Sequence, residues 1–283
     1  MPLVGTLRSG TTWVSALINY NNDYRYMFEP FYPGLDCCDQ FPARPFLLPE
    51  NRDPALLRQA GAIFSGRVRN ERVDQFNKRT WCSKRLIKAI HCNLMLKWMR
   101  AHSPHVPTIL LLRHPCAVVH SLLCLGWDPA LKHLLCQEDL MSGILGPFRA
   151  EMEQAANPFE DHLSLWCAET YVALHQLAPD DVCLLFYEQL CENPEAEIAR
   201  LFAFLGKGYD QRVLAQLKLP SPLSRPDSTI ITGGSLIDAW RAGITAEQLA
   251  RAMQLLSLFG LDSIYSEDPM PNVEDASQVI PLR

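Results

Sequence analysis

The chain predicts a single three-layer α/β domain over residues 1–283, a central parallel sheet flanked by helices. Two observations lead there. Apolar strand-like runs alternate with segments of helical spacing, the pattern of a parallel sheet covered on both faces. With 283 residues, 48% of them hydrophobic, the chain can also bury one large core. No repeat period or low-complexity tract is visible, which removes the solenoid and propeller classes.

The predicted strands are Leu3–Leu7, Arg85–Ile90, Thr108–Leu112 and Val182–Tyr187. Helical spacing covers Thr11–Tyr20, Asn93–His102, Ala117–Leu125, Leu163–Leu177, Glu195–Leu205 and Ala246–Phe259, with Pro115 and Pro194 where helices begin. Pro30–Pro54 and Leu219–Gly234 read as long loops, of the length that is either functional or disordered, and the tail from about residue 266 as irregular. In an open parallel sheet a ligand sits beyond the carboxyl ends of the strands, so the residues after Leu7, Ile90 and Leu112 are the first candidates.

Composition narrows the partners. A net charge of −5 argues against a broad nucleic-acid or membrane-surface footprint, so an anionic ligand must be held by a few placed residues. No apolar run of about 18 residues predicts a membrane span. The start lacks the pattern of a signal peptide, and a scan for Asn-x-Ser/Thr finds no glycosylation acceptor; the expectation is a cytoplasmic enzyme. The ten cysteines are scattered, several in apolar runs (Cys116, Cys124, Cys167 and Cys183), and most of them read as reduced core thiols. No Cys-x-x-Cys spacing is present, so no structural zinc is expected.

Gly5-Thr-Leu-Arg8-Ser9-Gly10-Thr11-Thr12 follows the first strand and opens the first helix, the context of a phosphate-binding loop. Thr11 stands where the lysine of a nucleoside-triphosphate loop would be, which removes a main charge clamp on the β and γ phosphates. What remains is a row of backbone N–H groups, a helix dipole, the hydroxyls of Ser9, Thr11 and Thr12, and the Arg8 cation. That set suits a single phosphate joined to a weakly charged group.

Arg8-Ser-Gly-Thr-Thr-Trp13 resembles the 5′-phosphosulfate loop of the sulfotransferases that use 3′-phosphoadenosine 5′-phosphosulfate (PAPS), and the resemblance runs along most of the chain. It implies a P-loop NTPase-like sulfotransferase fold. It also implies transfer of a sulfuryl group to a hydroxyl or amine of a small-molecule, sugar or lipid acceptor; no metal is expected, because PAPS offers no β,γ phosphate pair to bridge and no acidic strand-end residue is clearly suited to magnesium. Arg8, Ser9, Gly10, Thr11, Thr12 and Trp13 would then hold the phosphosulfate end. Arg113, at a strand tip, and Ser121, eight residues on, match the family's Arg and Ser that hold the 3′-phosphate, the group that distinguishes PAPS from ATP.

Transfer to a hydroxyl needs a base and something to absorb charge on the departing phosphate oxygen. Arg8 and the loop amides suit the second task. For the first, Glu29 in Phe28-Glu-Pro30 resembles the glutamate of the carbohydrate-modifying branch and ranks ahead of His91, which sits at another strand tip and ordinarily titrates near neutrality. The cytosolic branch carries Lys-Thr-His, with the histidine two after the lysine; here His91 is three after Lys88, a departure from that pattern. Lys88 is a candidate for steadying the sulfuryl oxygens.

Leu184–Gly206 resembles the family's closing strand, Asn-Pro turn and Phe-Leu-Gly helix. The segment Ser224–Trp240 falls where the family closes over adenosine, with Arg225, Ser228 and Trp240 as candidates, although the Arg-Lys-Gly motif of the cytosolic branch is missing. A nucleotide-dependent kinase and a catalytically silent PAPS-binding protein are the competing readings. Phe31, Tyr32, Phe41 and Phe46 are expected near the acceptor, whose identity they leave open.

Overall fold

A computed structural model describes residues 1–79, 81–224, 226 and 228–272; Arg225, proposed for the lid, lies outside the described residues. Within these, the sheet has five parallel strands: β1 (Pro2–Gly5), β2 (Arg25–Phe28), β3 (Arg85–Lys88), β4 (Thr108–Leu112) and β5 (Val182–Phe186), in the order β2-β3-β1-β4-β5. Leu3 pairs with Lys88 on one side and Ile109 on the other, which puts β1 at the centre of the sheet.

The longer helices are α1 (Thr11–Ile18), α2 (Pro54–Phe64), α3 (Leu96–His102), α4 (Pro115–Leu125), α5 (Pro158–Gln176), α6 (Pro194–Phe204) and α7 (Ala246–Leu258). Alternate strand residues face opposite layers, as the period of two requires. Leu3, Leu86, Ile109, Leu111 and Leu185 pack with α1 and α6. Val4, Ile87, Leu110, Leu112 and Leu184 pack with α2, α3, α4, α5 and α7. Both faces of the sheet are therefore dry, which is why the strands read as continuous apolar runs.

Several expectations need correcting. β2 was not foreseen: it is four residues long, and its first residue is an arginine, Arg25. Arg25 is buried because its guanidinium reaches Asp74 at 2.8 Å and the carbonyls of Gly66 and Val68. α2 was not foreseen either; Asp53 caps it by accepting from the amides of Ala55 (2.7 Å) and Leu56 (3.3 Å). α3 starts at Leu96 rather than Asn93, because Asn93 turns its amide back onto the Gly5 carbonyl at 3.2 Å.

Of the cysteines read as core thiols, Cys116, Cys167 and Cys183 are buried, whereas Cys124 is exposed because its face of α4 looks into a cleft instead of the core. The aromatics of the long loop also split. Phe31 and Phe41 are buried against each other and against Phe64 and Trp98, so they build core and present no face to an acceptor; Tyr32 stays 39% exposed. The loop is pinned by a buried ion pair between Arg44 and Glu169 of α5.

Candidate active site

All five strands point their carboxyl ends at one edge of the sheet, so the chain segments leaving them converge. Arg8 follows β1, Glu29 follows β2, Lys88 ends β3, Arg113 follows β4 and Tyr187 follows β5; all five line one cavity of about 290 Å³. Sequence positions spread over nearly 180 residues thus become one site.

On the donor side, the loop after β1 depends on two glycines. A side chain on Gly5 would bring Cβ to 2.6 Å from the Leu111 carbonyl, and one on Gly10, whose φ is +98°, would come to 2.7 Å from the Tyr187 ring. Gly10 immediately precedes α1, and helix geometry leaves the amides of the first turn without partners inside the helix. Thr11, Thr12 and Trp13 line the cavity beside it. Ser9 does not: it is fully buried and its Oγ donates to the Thr6 carbonyl at 2.8 Å, shaping the turn from within. Trp13 donates from Nε1 to the Leu217 carbonyl at 3.2 Å and leans on Tyr187, ring centroids 5.5 Å apart.

The two anchors expected at opposite ends of the donor are joined by Arg8. Its Nε donates to Ser121 Oγ at 3.0 Å, and its carbonyl accepts from Arg113 Nη1 at 3.1 Å. Arg8 has a left-handed backbone, φ +61°. Arg113 lies 4.2 Å over the face of Tyr187, while its Nε is buried with no hydrogen-bond partner among the described residues. Arg113 also lines the cavity, and a planar guanidinium there suits a phosphate. Behind it, His114 caps α4, accepting from the Cys116 amide, and its own amide donates to Glu188. Burial raises the Glu188 carboxyl to about 6 and lowers His114 to about 4. Trp240 stacks on the His114 ring, centroids 4.5 Å apart and nearly parallel, and forms a cavity wall together with Ser228.

The base side is built differently. Glu29 is buried with φ +48°, a left-handed conformation that costs a non-glycine residue roughly 1–2 kcal/mol. Its Oε1 accepts from Lys88 Nζ, and its Oε2 accepts from Arg72 Nη2 at 2.7 Å. Lys88 is itself buried, so burial draws its pKa below the lysine value against the pull of Glu29, and the Arg72 and Arg8 charges lower it further. Arg72, on the short helix Glu71–Asp74, was missed by sequence reasoning, since nothing near it in the chain marks it. Its guanidinium lies 3.7 Å over the Tyr32 ring.

His91 is placed beside this group but not on the cavity wall. Its ring meets Tyr32 edge to face at 5.5 Å, and among the described residues neither ring nitrogen has a hydrogen-bond partner. The expectation that it titrates near neutrality fails: burial, reinforced by the Arg44, Lys88 and Arg72 charges, lowers it to about 3.

The Sulfotransferase domain pattern matches residues 2–219, more than three quarters of the chain. The chain belongs to the sulfotransferase family. It is 26% identical to the nodulation protein NoeE of Sinorhizobium fredii, across 98% of this chain and 68% of that protein. The sulfotransferase domain of the Synechococcus PCC 7002 olefin synthase superposes with a TM-score of 0.50 at 18% identity, covering 92% of this chain and 93% of that one. The mouse sulfotransferase SULT7A1, solved with PAP, gives 0.45 at 15% identity, covering 93% and 84%. The likeness to the olefin synthase domain agrees with the parallel sheet and its flanking helices. Among the described residues no helix is long and apolar enough to cross a membrane, and no group of three or more His, Cys, Asp or Glu is placed to hold a metal ion.

Proposed function

We propose that this sulfotransferase takes the sulfuryl group of PAPS and transfers it to a hydroxyl or amine of a small-molecule, sugar or lipid acceptor. One observation carries the reading: a lysine-free glycine turn, two arginines and a buried Glu29–Lys88 pair meet in one cavity at the strand tips. The donor fits the residues present. Arg113 and Ser121, both on the cavity wall, would hold its 3′-phosphate. The Gly10 turn, Thr11, Thr12 and Arg8 would hold the 5′ end, and Trp13, Tyr187, Ser228 and Trp240 would enclose the base and ribose.

PAPS supplies the activated sulfuryl group; the chain supplies position and charge. Glu29 takes the acceptor proton as the new bond to sulfur forms. Arg8 and the amides of the first turn neutralise the charge left on the phosphate oxygen as the old bond to sulfur breaks. Lys88 steadies the sulfuryl oxygens between them. Glu29 serves as base because a carboxylate offers about four lone-pair sites, of which Lys88 and Arg72 use one each.

The test is calorimetry on the purified protein with adenosine 3′,5′-bisphosphate, followed by incubation with labelled PAPS and a mixed panel of hydroxylated and amine acceptors read by mass spectrometry. Uptake of the bisphosphate and a product heavier by one sulfuryl group are expected. Failure to bind the bisphosphate, with strong uptake of ATP and magnesium, overturns the reading in favour of a kinase.

A further inference from the structure

Glu29 is gripped by two cations that differ in kind. Lys88 comes from the neighbouring strand and is 5% exposed, whereas Arg72 comes from a separate short helix and is 37% exposed. A buried ammonium beside a buried carboxylate neutralises it, yet one point contact leaves the carboxylate plane free to turn about its own axis. The second contact removes that freedom, because Arg72 takes the other oxygen at 2.7 Å. The guanidinium is in turn held in place by stacking 3.7 Å over Tyr32, whose ring is braced by the edge of His91. Asn70 caps the Arg72 helix, accepting from the amides of Arg72 and Val73, and Asp74 on the same turn pairs with buried Arg25 of β2. The helix is thereby fixed to the strand that leads into Glu29.

We propose that Arg72 is a positioning residue for the transfer reaction: stacked on Tyr32, it fixes the plane of the Glu29 carboxylate so that a free lone pair faces the acceptor. The inference rests on the reading of Glu29 as the base. It adds a residue on the acceptor side, since Arg72 and Tyr32 lie outside the walls of the donor cavity and are the exposed members of the cluster. An acceptor reaching Glu29 from that side passes the Arg72–Tyr32 stack.

The experiment compares Arg72→Met, Arg72→Lys, Tyr32→Leu and the Arg72→Met/Tyr32→Leu double variant, each checked for folding by thermal melting. Because general-base catalysis contributes about 10²- to 10⁴-fold, loss of its orientation is expected to lower kcat about 10- to 100-fold in Arg72→Met, with KM for PAPS within twofold of the parent. Arg72→Lys restores part of the loss, since it keeps a charge but not the planar fork. Tyr32→Leu lowers kcat less, about threefold, and adds little in the Arg72→Met background, because both act through one contact.

An Arg72→Met variant that keeps kcat within twofold overturns the inference. So does one that loses kcat and bisphosphate affinity together, which marks a merely structural role. If the parent protein itself takes up no bisphosphate, the donor reading has failed instead, and the inference falls with it. If Arg72→Met does not fold, the Lys and Leu variants decide: unchanged kcat in both overturns the inference.

Discussion

The donor side and the base side of this cavity sit on neighbouring strand tips but are assembled in opposite ways. The donor side is largely local: Gly5, Arg8, Gly10, Thr11, Thr12 and Trp13 belong to one strand-loop-helix unit, and Arg113, Ser121, Tyr187, Ser228 and Trp240 join it from elsewhere. The base side draws Glu29, Arg72 and Lys88 from three separate segments and joins them by charge. A local unit keeps its shape through backbone constraints such as the two glycines, so single side-chain losses there reduce affinity. A charge-assembled cluster has no such frame, so a single loss there disturbs its neighbours.

The comparison predicts its largest effect at Glu29. Replacing it with Gln removes the base while leaving a polar group for Lys88 and Arg72, and kcat is expected to fall about 10²- to 10⁴-fold with bisphosphate affinity within a few-fold of the parent. Single-turnover assay and calorimetry on the same variant check this. A variant that loses affinity as much as rate would show that the two sides are one coupled unit.

The donor side should show the reverse split. Arg113→Met removes a half-buried guanidinium stacked on Tyr187, and the affinity for adenosine 3′,5′-bisphosphate is expected to drop about 30- to 1,000-fold, roughly 2–4 kcal/mol. Turnover at saturating PAPS should change far less. Equal affinity of the variant for the bisphosphate and for adenosine 5′-monophosphate would confirm that Arg113 reads the 3′-phosphate; a loss that is the same for both nucleotides would assign it to the 5′ end.

The same contrast explains what could be read from sequence. The parallel sheet was legible because strands buried on both faces are apolar throughout, as in Thr108–Leu112 and Val182–Phe186. β2 was not, because Arg25 breaks its run, and the ion pair with Asp74 that allows burial forms only across 49 residues of chain. The loop after β1 announced itself by glycine spacing, whereas Arg72 has no local signal at all; a geometry that brings it onto Glu29 exists only after β2 and β3 pair. Lys88 was a candidate from its place in a strand, but its burial was not legible, since the Glu29 carboxylate that pairs with it comes from the adjacent tip. Cys124 read as core because its sequence neighbours are apolar, and helix periodicity turned it to the cleft.

The smallest kinetic effect is expected at His91, the other candidate base, and it carries a stability signature of its own. With its pKa lowered to about 3, the buried ring stays neutral when the unfolded chain, titrating near 6.5, takes up a proton. The unfolded state therefore binds more protons below pH 6.5, and the stability present at neutral pH is lost as pH falls from 6.5 toward 3. At pH 5 that loss is about 2 kcal/mol from this residue alone. His114, lowered to about 4, adds a loss of the same sign; Glu188, raised to about 6, acts oppositely between about 4.5 and 6. Both remain in a His91→Phe variant, so the difference between the two melting-temperature profiles isolates His91. The variant should show a flatter decline from pH 7 to pH 5 and a kcat within about tenfold of the parent. A fall in kcat as deep as that of Glu29→Gln would move the base to His91 and require the ring to turn into the cavity during turnover.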